Sequence, residues 1–411
     1  MATAGVSENN MRGQKAPGGP ATAPASGSTD AEFVTARLEG TFTRAAQSAL
    51  IEANSKGKKK LVRRRERDRS QLVRRGVQFI FLALNLWIGY EFYTWVRFFE
   101  SGGVGRFVER PGGIDGWLPI DALMSLKYTL LTGSVPHVHP AGLFLLLAFL
   151  AISLLLRKAF CSWLCPVGTL SEYFWKLGQK IFGRNVLSPR PTKARQRLWL
   201  RRLGVGVDVA LRGLKYLLLG FFLWVIVRMP VESLAAFLGS PYGIIADVKM
   251  LNFFRHLGQA GAIVLVTLGV LSLLVQNPWC RYLCPYGALM GLVALLSPAR
   301  IRRNPDPCID CGKCTRSCPS ALQVDRLVEI RSAECTACLE CVAVCPAEGA
   351  LELSFTRRRS LSPWAVAACV GAIFLGMVGF ARLAGHWRTE IPNSVYMHLV
   401  PNANLESHPG M

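Results

Sequence analysis

Residues 308 to 346 carry eight of the chain's thirteen cysteines, in two copies of one spacing. The first copy runs Cys308, Cys311, Cys314, Cys318, Pro319 and the second Cys335, Cys338, Cys341, Cys345, Pro346. Each is C-x2-C-x2-C-x3-C-P, a run suited to a 4Fe–4S cluster. Three closely spaced thiolates on a tight loop can take three irons of a cubane, while the fourth lies farther along the chain. Structural zinc on CxxC pairs is the rival reading. Zinc needs four ligands per site and no x2-x2-x3 run, so the spacing favours clusters.

In two-cluster ferredoxins of this spacing, the fourth cysteine of each run ligates the other cluster. By that rule one 4Fe–4S cluster takes Cys308, Cys311, Cys314 and Cys345. The other takes Cys335, Cys338, Cys341 and Cys318. Four more cysteines form two C-x3-C-P motifs, Cys161/Cys165 and Cys280/Cys284. Cys369 stands alone in an apolar run and reads as an inert packing residue. Such grouping points to cofactor chemistry in a reducing compartment, not to a disulfide framework.

The rest of the chain reads as membrane protein. Half the residues (51%) are hydrophobic and the mean hydropathy is +0.28, high for a soluble protein. Apolar runs near 76–96, 141–157, 207–227, 259–276 and 363–382 have lengths near that of a bilayer helix. Asp208, Arg212 and Lys215 intrude on the third run and are expected to snorkel to the interface. The net charge of +22 could signal nucleic acid, but its distribution argues otherwise. Residues 56–75 hold eleven basic and two acidic residues, and 157–202 hold eleven and one. By contrast, 97–140 hold four of each and 229–258 two of each. This alternation fits the positive-inside rule, with the N-terminus and cysteine-rich module inside and the C-terminus outside.

The expected organisation is a disordered basic N-terminal region over 1–75, with a helix near 31–55 as an open alternative. A four-helix membrane domain over 76–300 follows, then a cytoplasmic two-cluster module over 301–360. A fifth transmembrane helix (361–382) and a periplasmic tail (383–411) close the chain. No apolar signal-peptide core follows Met1. The fold class is an α-helical integral membrane protein of about five spans with an inserted α+β ferredoxin module.

The membrane part contains a repeat. Cys161-Ser-Trp-Leu-Cys165-Pro166-Val-Gly168 follows the second span, and Cys280-Arg-Tyr-Leu-Cys284-Pro285-Tyr-Gly287 follows the fourth. Each comes after an outside-to-inside helix. Parallel repeats are related by an axis along the membrane normal, which would bring both motifs together at the cytoplasmic surface. Positions i and i+4 share a helix face, and the proline ends that helix. The four thiols are candidates for an additional metal centre or for redox-active disulfides.

All six histidines fall in segments assigned to the outside: His137, His139, His256, His386, His398 and His408. His137, His139 and His256 are candidate quinone or metal residues. The glycine pairs at 102–103 and 112–113 carry no phosphate-loop or dinucleotide pattern. No Ser-His-Asp set or paired-carboxylate signature points to catalytic residues.

Paired C-x3-C-P motifs on membrane helices, followed by a two-cluster module, resemble the membrane polyferredoxins of the NapH, NosR and FixG/CcoG kind. The likeness covers roughly residues 76–382. It implies an inner-membrane electron-transfer protein of bacteria serving a respiratory reductase or its maturation. Partners would be membrane lipid, the quinone pool and subunits of a redox system, with no nucleic acid. The chain lacks both the flavin-binding domain before the first span of complete NosR-type proteins and the long domain after the module of the FixG type. It is therefore nearest a NapH-like or NosR-like membrane core. An electron-transfer subunit is favoured over a stand-alone enzyme. The alternatives are a membrane cupric reductase, with the C-x3-C-P thiols on the metal, and an iron–sulfur redox sensor.

Overall fold

The computed structural model describes residues 61–64, 68–183, 197–356 and 359–408. The tail expected over 1–30, the helix expected over 31–55 and part of the basic run 56–75 lie outside these residues. The chain is an α-helical membrane protein carrying a small α+β ferredoxin module.

Helices occupy all five apolar runs. They are α1 (Ser70–Glu100), α2 (Pro140–Leu156), α4 (Arg197–Arg228), α5 (Gln259–Leu274) and α7 (Pro363–Leu383). Two further helices, α3 (Pro166–Ile181) and α6 (Pro285–Ala294), each start at the proline of a C-x3-C-P motif. By length and composition α1, α7 and residues 206–228 of α4 can each cross a bilayer alone. α5 has sixteen residues and qualifies only together with Ala246–Arg255, from which it is bent by 80°. The break falls at His256–Gly258, where Gly258 takes the extended conformation and starts the new helix.

α2 lies at the centre. Its sequence is apolar all round and most of it is buried, with Leu154 and Leu155 exposed near its end. It packs against α6, α7, the helix Pro119–Thr132 and the 3-10 turn Gly112–Trp117. At seventeen residues it is about 26 Å long, slightly short of a bilayer core. α1 differs: Phe79, Ile80, Leu86 and Trp87 stand exposed along it, an apolar face suited to lipid. α3 meets α5 at Gly178, where an added Cβ would lie 2.0 Å from the Leu273 carbonyl oxygen. Only glycine permits that approach.

The module is built on a three-stranded antiparallel sheet in the order β1 (Arg300–Arg303), β2 (Leu351–Thr356), β3 (Arg359–Ser360). Arg300 faces Ser354 and Ile301 faces Leu353 across β1 and β2. Ile301 and Leu353 point inward. They join a continuous apolar core with Leu146, Phe149 and Ile152 of α2, Trp163, and Ala337 and Leu339 of the cysteine loops. This core runs unbroken from the membrane helices into the module, so the two parts share one interior. An N-terminal segment adds an edge, with Arg64 N–H donating to the Pro346 carbonyl and Glu348 N–H to that of Val62 (both 3.1 Å).

Candidate functional site

The two cysteine loops of the module are copies of each other in backbone conformation. Asp310 and Ala337, each just before the second cysteine of its run, have φ of 54° and 49°. Gly312 and Leu339, each just after it, have φ of 64° and 60°. Left-handed residues that alternate in this way turn successive N–H groups to one side, the nest geometry found at anion and Fe–S sites. Three of these four residues carry side chains, at some cost in backbone strain.

Each loop closes over a cavity. One is lined by Cys335, Cys338 and Cys341 with Cys318 of the other run. The second is lined by Cys308, Cys311 and Cys314 with Cys345. The crossed partition is the one expected for two clusters. Burial pushes the Cys338 thiol up to about 12, outweighing the nearby Arg74. A thiolate there needs a bound cation, which cluster iron supplies.

The membrane repeat assembles a third cysteine group. Cys161 lies on the short helix Ala159–Trp163 and Cys280 on the π-helical turn Trp279–Leu283. Cys165 and Cys284 cap the N-termini of α3 and α6. Cys284 Sγ accepts the N–H of Gly287 at 3.2 Å. Two helix N-termini thus bear on the site, and their partial positive charge favours thiolate. The glycines of the repeat keep this space open. A Cβ on Gly168 would lie 2.6 Å from the Cys161 carbonyl oxygen, and one on Gly287 3.5 Å from Cys284 Sγ. Burial, joined by the neighbouring thiols Cys165 and Cys284, pushes Cys161 up to about 12 against the pull of Lys158. Cys280 is raised by burial and by the other three thiols. The four cysteines of two motifs 119 residues apart, each half-buried, therefore share one site. Among the described residues, no three His, Cys, Asp or Glu side chains are drawn together as ligands of a single ion.

The first motif grips the module. Ser162 Oγ donates to the Thr336 carbonyl (2.6 Å) and Trp163 Nε1 to that of Ala337 (3.1 Å). Both acceptors lie between Cys335 and Cys338. Arg74 of α1 adds a bidentate pair to Glu172 of α3 (2.7 and 2.8 Å) and a third bond to Glu340 (2.8 Å). Gln71 donates to the Cys338 carbonyl (2.9 Å). The second motif turns the other way, with Arg281 and Tyr282 both bonding Asp208 of α4. The charged residues of α4 were expected to snorkel. Instead Lys215 is fully buried and pairs with Glu334 at 2.6 Å, and Arg212 donates to the Ser320 carbonyl.

At the far end of α2, the candidate histidines separate. His139 is buried, with Nε2 donating to the Gly243 carbonyl (3.0 Å) and Nδ1 beside Asp115 (3.3 Å) and Arg110 (2.9 Å). Both ring nitrogens are engaged. His137 is exposed and bonds Glu390, while His256 is exposed at the helix break. These three do not share partners. Arg110 also bridges Asp115 and Asp247, all buried. No local motif announces this ion cluster, since its members come from segments up to 137 residues apart.

Residues 138–185 and 257–304, the two C-x3-C-P segments, each match a family described as a 4Fe-4S binding domain. Residues 300–346 match a 4Fe-4S dicluster domain. The putative electron transport protein YccM of Escherichia coli K12 is 48% identical over 82% of this chain and 91% of its own length. The chain belongs to the NapH/NosR-like family of membrane 4Fe–4S ferredoxin proteins. Within this family, the ferredoxin-type protein NapH of Haemophilus influenzae is 23% identical over 63% of the chain and 88% of its own length. The regulatory protein NosR of Pseudomonas aeruginosa is 33% identical over 48% of the chain, which spans a quarter (25%) of that relative. No solved structure matches. As a member of the family the chain is an iron–sulfur electron-transport protein with two 4Fe–4S clusters.

Proposed function

We propose that the chain carries single electrons between a membrane-side redox partner and a partner at the ferredoxin end, in the inner membrane of a bacterium. It would serve a respiratory reductase or its maturation. The observation that carries this reading is the docking of the first C-x3-C-P motif onto the loop between Cys335 and Cys338. Three four-cysteine sites then follow in order: Cys161/Cys165/Cys280/Cys284, Cys318/Cys335/Cys338/Cys341, and Cys308/Cys311/Cys314/Cys345.

Bound iron–sulfur clusters supply one-electron chemistry with little structural change. The chain's own residues do the rest. Arg74, Gln71, Ser162 and Trp163 hold the module against the helices at fixed spacing. The left-handed loop residues aim N–H groups at the sites. The apolar core of Phe149, Phe160, Trp163 and Leu339 keeps water away. The membrane quartet has the donor set for a third redox centre, and its two helix N-termini favour an anionic occupant. The basic segments 56–75 and 157–202 support an inside position for the module.

The membrane-side partner is read as a quinol or an external redox protein. Cys161→Ser and Cys284→Ser should each abolish reduction of the module by an added quinol in membrane vesicles. Dithionite should still reduce it, and the protein should still insert. Normal quinol-dependent reduction in both variants would overturn the proposal. Reoxidation of the reduced wild type by cupric ion but by no quinone would favour the cupric-reductase alternative.

A further inference from the structure

Two buried lysines and a carboxylate lie between the membrane quartet and the Cys335 loop. Lys158 lies two residues past the end of α2 and is buried. Its Nζ lies 3.6 Å from the position a Cβ on Gly287 would take, and Cys284 Sγ lies 3.5 Å from the same point. Its charge acts on Cys161, Cys165 and Cys280. It acts also on Glu334, the residue before Cys335. Lys215, fully buried on α4, pairs with both oxygens of Glu334 (2.6 and 2.7 Å), and Tyr216 Oη donates to Glu334 at 3.0 Å. Arg157 and Arg212, the nearest other cations in sequence, turn away to the carbonyls of Ser332 and Ser320. Counting Lys158, Lys215 and Glu334 leaves a net charge of +1 beside four half-buried thiols.

A buried net cation costs several kcal/mol unless an anion answers it. Glu334 answers one lysine. The quartet is the anion that would answer the other, and only when its thiols are ionised on a bound centre. The helix N-termini act on the same site, but they bring partial charges, whereas Lys158 brings a whole one.

We propose that Lys158, with Lys215 and Glu334, sets the reduction potential of a redox centre on Cys161, Cys165, Cys280 and Cys284. This rests on the reading that the quartet holds such a centre. Reduction adds one electron, makes or breaks no covalent bond, and makes the centre more negative by one charge. Lys158 stabilises that added charge, and Lys215 does so to the extent that Glu334 leaves it uncompensated. The three residues act through their charge on the centre and are positioning residues.

The test is an EPR-monitored redox titration of the detergent-purified holoprotein with dithionite and mediators. Lys158→Met should lower the midpoint of the quartet centre, cutting the reduced-to-oxidised ratio at the wild-type midpoint by about tenfold or more. Lys158→Arg should hold it near wild type. Glu334→Gln should raise it, a reversal of sign that a loss of packing would not produce. Lys180→Met, on an exposed residue of α3, is the control. A midpoint in Lys158→Met equal to that of the control would overturn this proposal alone. Unchanged iron content and spectra in both Cys161→Ser and Cys284→Ser would remove the centre itself, and this proposal with it.

Discussion

Trp163 donates its indole N–H to the carbonyl of Ala337 at 3.1 Å, across 174 residues of sequence. Trp163 sits between the cysteines of a membrane motif, and Ala337 between two cysteines of the ferredoxin run. The bond joins two thiol sites through one fully buried side chain. Trp163→Phe keeps most of the ring and removes the donor. It should lower the stability of the docked module by about 1 kcal/mol, and Trp163→Ala by about 3–5 kcal/mol. Thermal loss of the clusters' visible absorbance measures both.

Arg74 and Glu172 form the buried counterpart of that bond. Burial pushes Glu172 up, but Arg74 overrides it and holds the carboxyl at about 2. Its folded value lies below the ordinary 4.5, so its stabilisation is present above pH 4.5 and lost as pH falls through about 2. Arg74→Met removes the bidentate partner of Glu172, which keeps Lys176 and Gln78, and should cost about 1–3 kcal/mol. Arg74→Met with Glu172→Gln should recover part of that, read from the same melting curves.

The opposite end should respond to alkali. Burial lowers the His139 value, but Asp115 outweighs it and holds the imidazole at about 9, against 6.5 ordinarily. A raised histidine contributes stability fully below pH 6.5 and loses it as pH rises through 9. Burial pushes Asp121 up to about 6 from 3.8, so its contribution is present below pH 3.8 and already lost once pH has risen through about 6. The melting temperature of the solubilised protein should therefore fall between pH 6.5 and about 9 on account of His139. The His139 share is at most about 3 kcal/mol. His139→Gln should flatten the upper limb.

Gly168 and Gly287 occupy matching places after the two C-x3-C-P motifs but face different neighbours. At Gly168 a methyl would meet backbone at 2.6 Å, whereas at Gly287 it would meet side-chain atoms at 3.5 Å or more. Gly168→Ala should disturb the quartet and lower bound iron, while Gly287→Ala should be nearly neutral. Iron content of the two purified variants separates the cases.

Much of this was legible in the chain because it is written locally. The spacing of Cys308 to Cys318 and Cys335 to Cys345 specifies two loops, and the cavities group those cysteines as the crossed rule expects. The Cys161/Cys165 and Cys280/Cys284 repeat likewise led to one shared, half-buried site. What could not be read was long-range pairing of charge. Lys215 in an apolar run looks like a snorkelling residue, and its partner Glu334 lies 119 residues away. Arg110 and Asp247 are 137 residues apart. The break after Arg255 was also hidden, because Ala246–Arg255 is mixed in character and resembles a loop until α5 is seen to bend from it by 80°. His139 was singled out as a ligand for its neighbour His137, yet both its nitrogens are taken up by the ion cluster.

The most direct test of the account is the number of iron–sulfur centres per chain. Iron and sulfide analysis with low-temperature EPR, on anaerobically purified wild type and Cys161→Ser, should differ by about four irons and one EPR signal, with the two module clusters intact in both. Equal iron, sulfide and spectra in the two proteins would contradict it. The chain would then hold its two ferredoxin clusters with no redox centre at the membrane quartet.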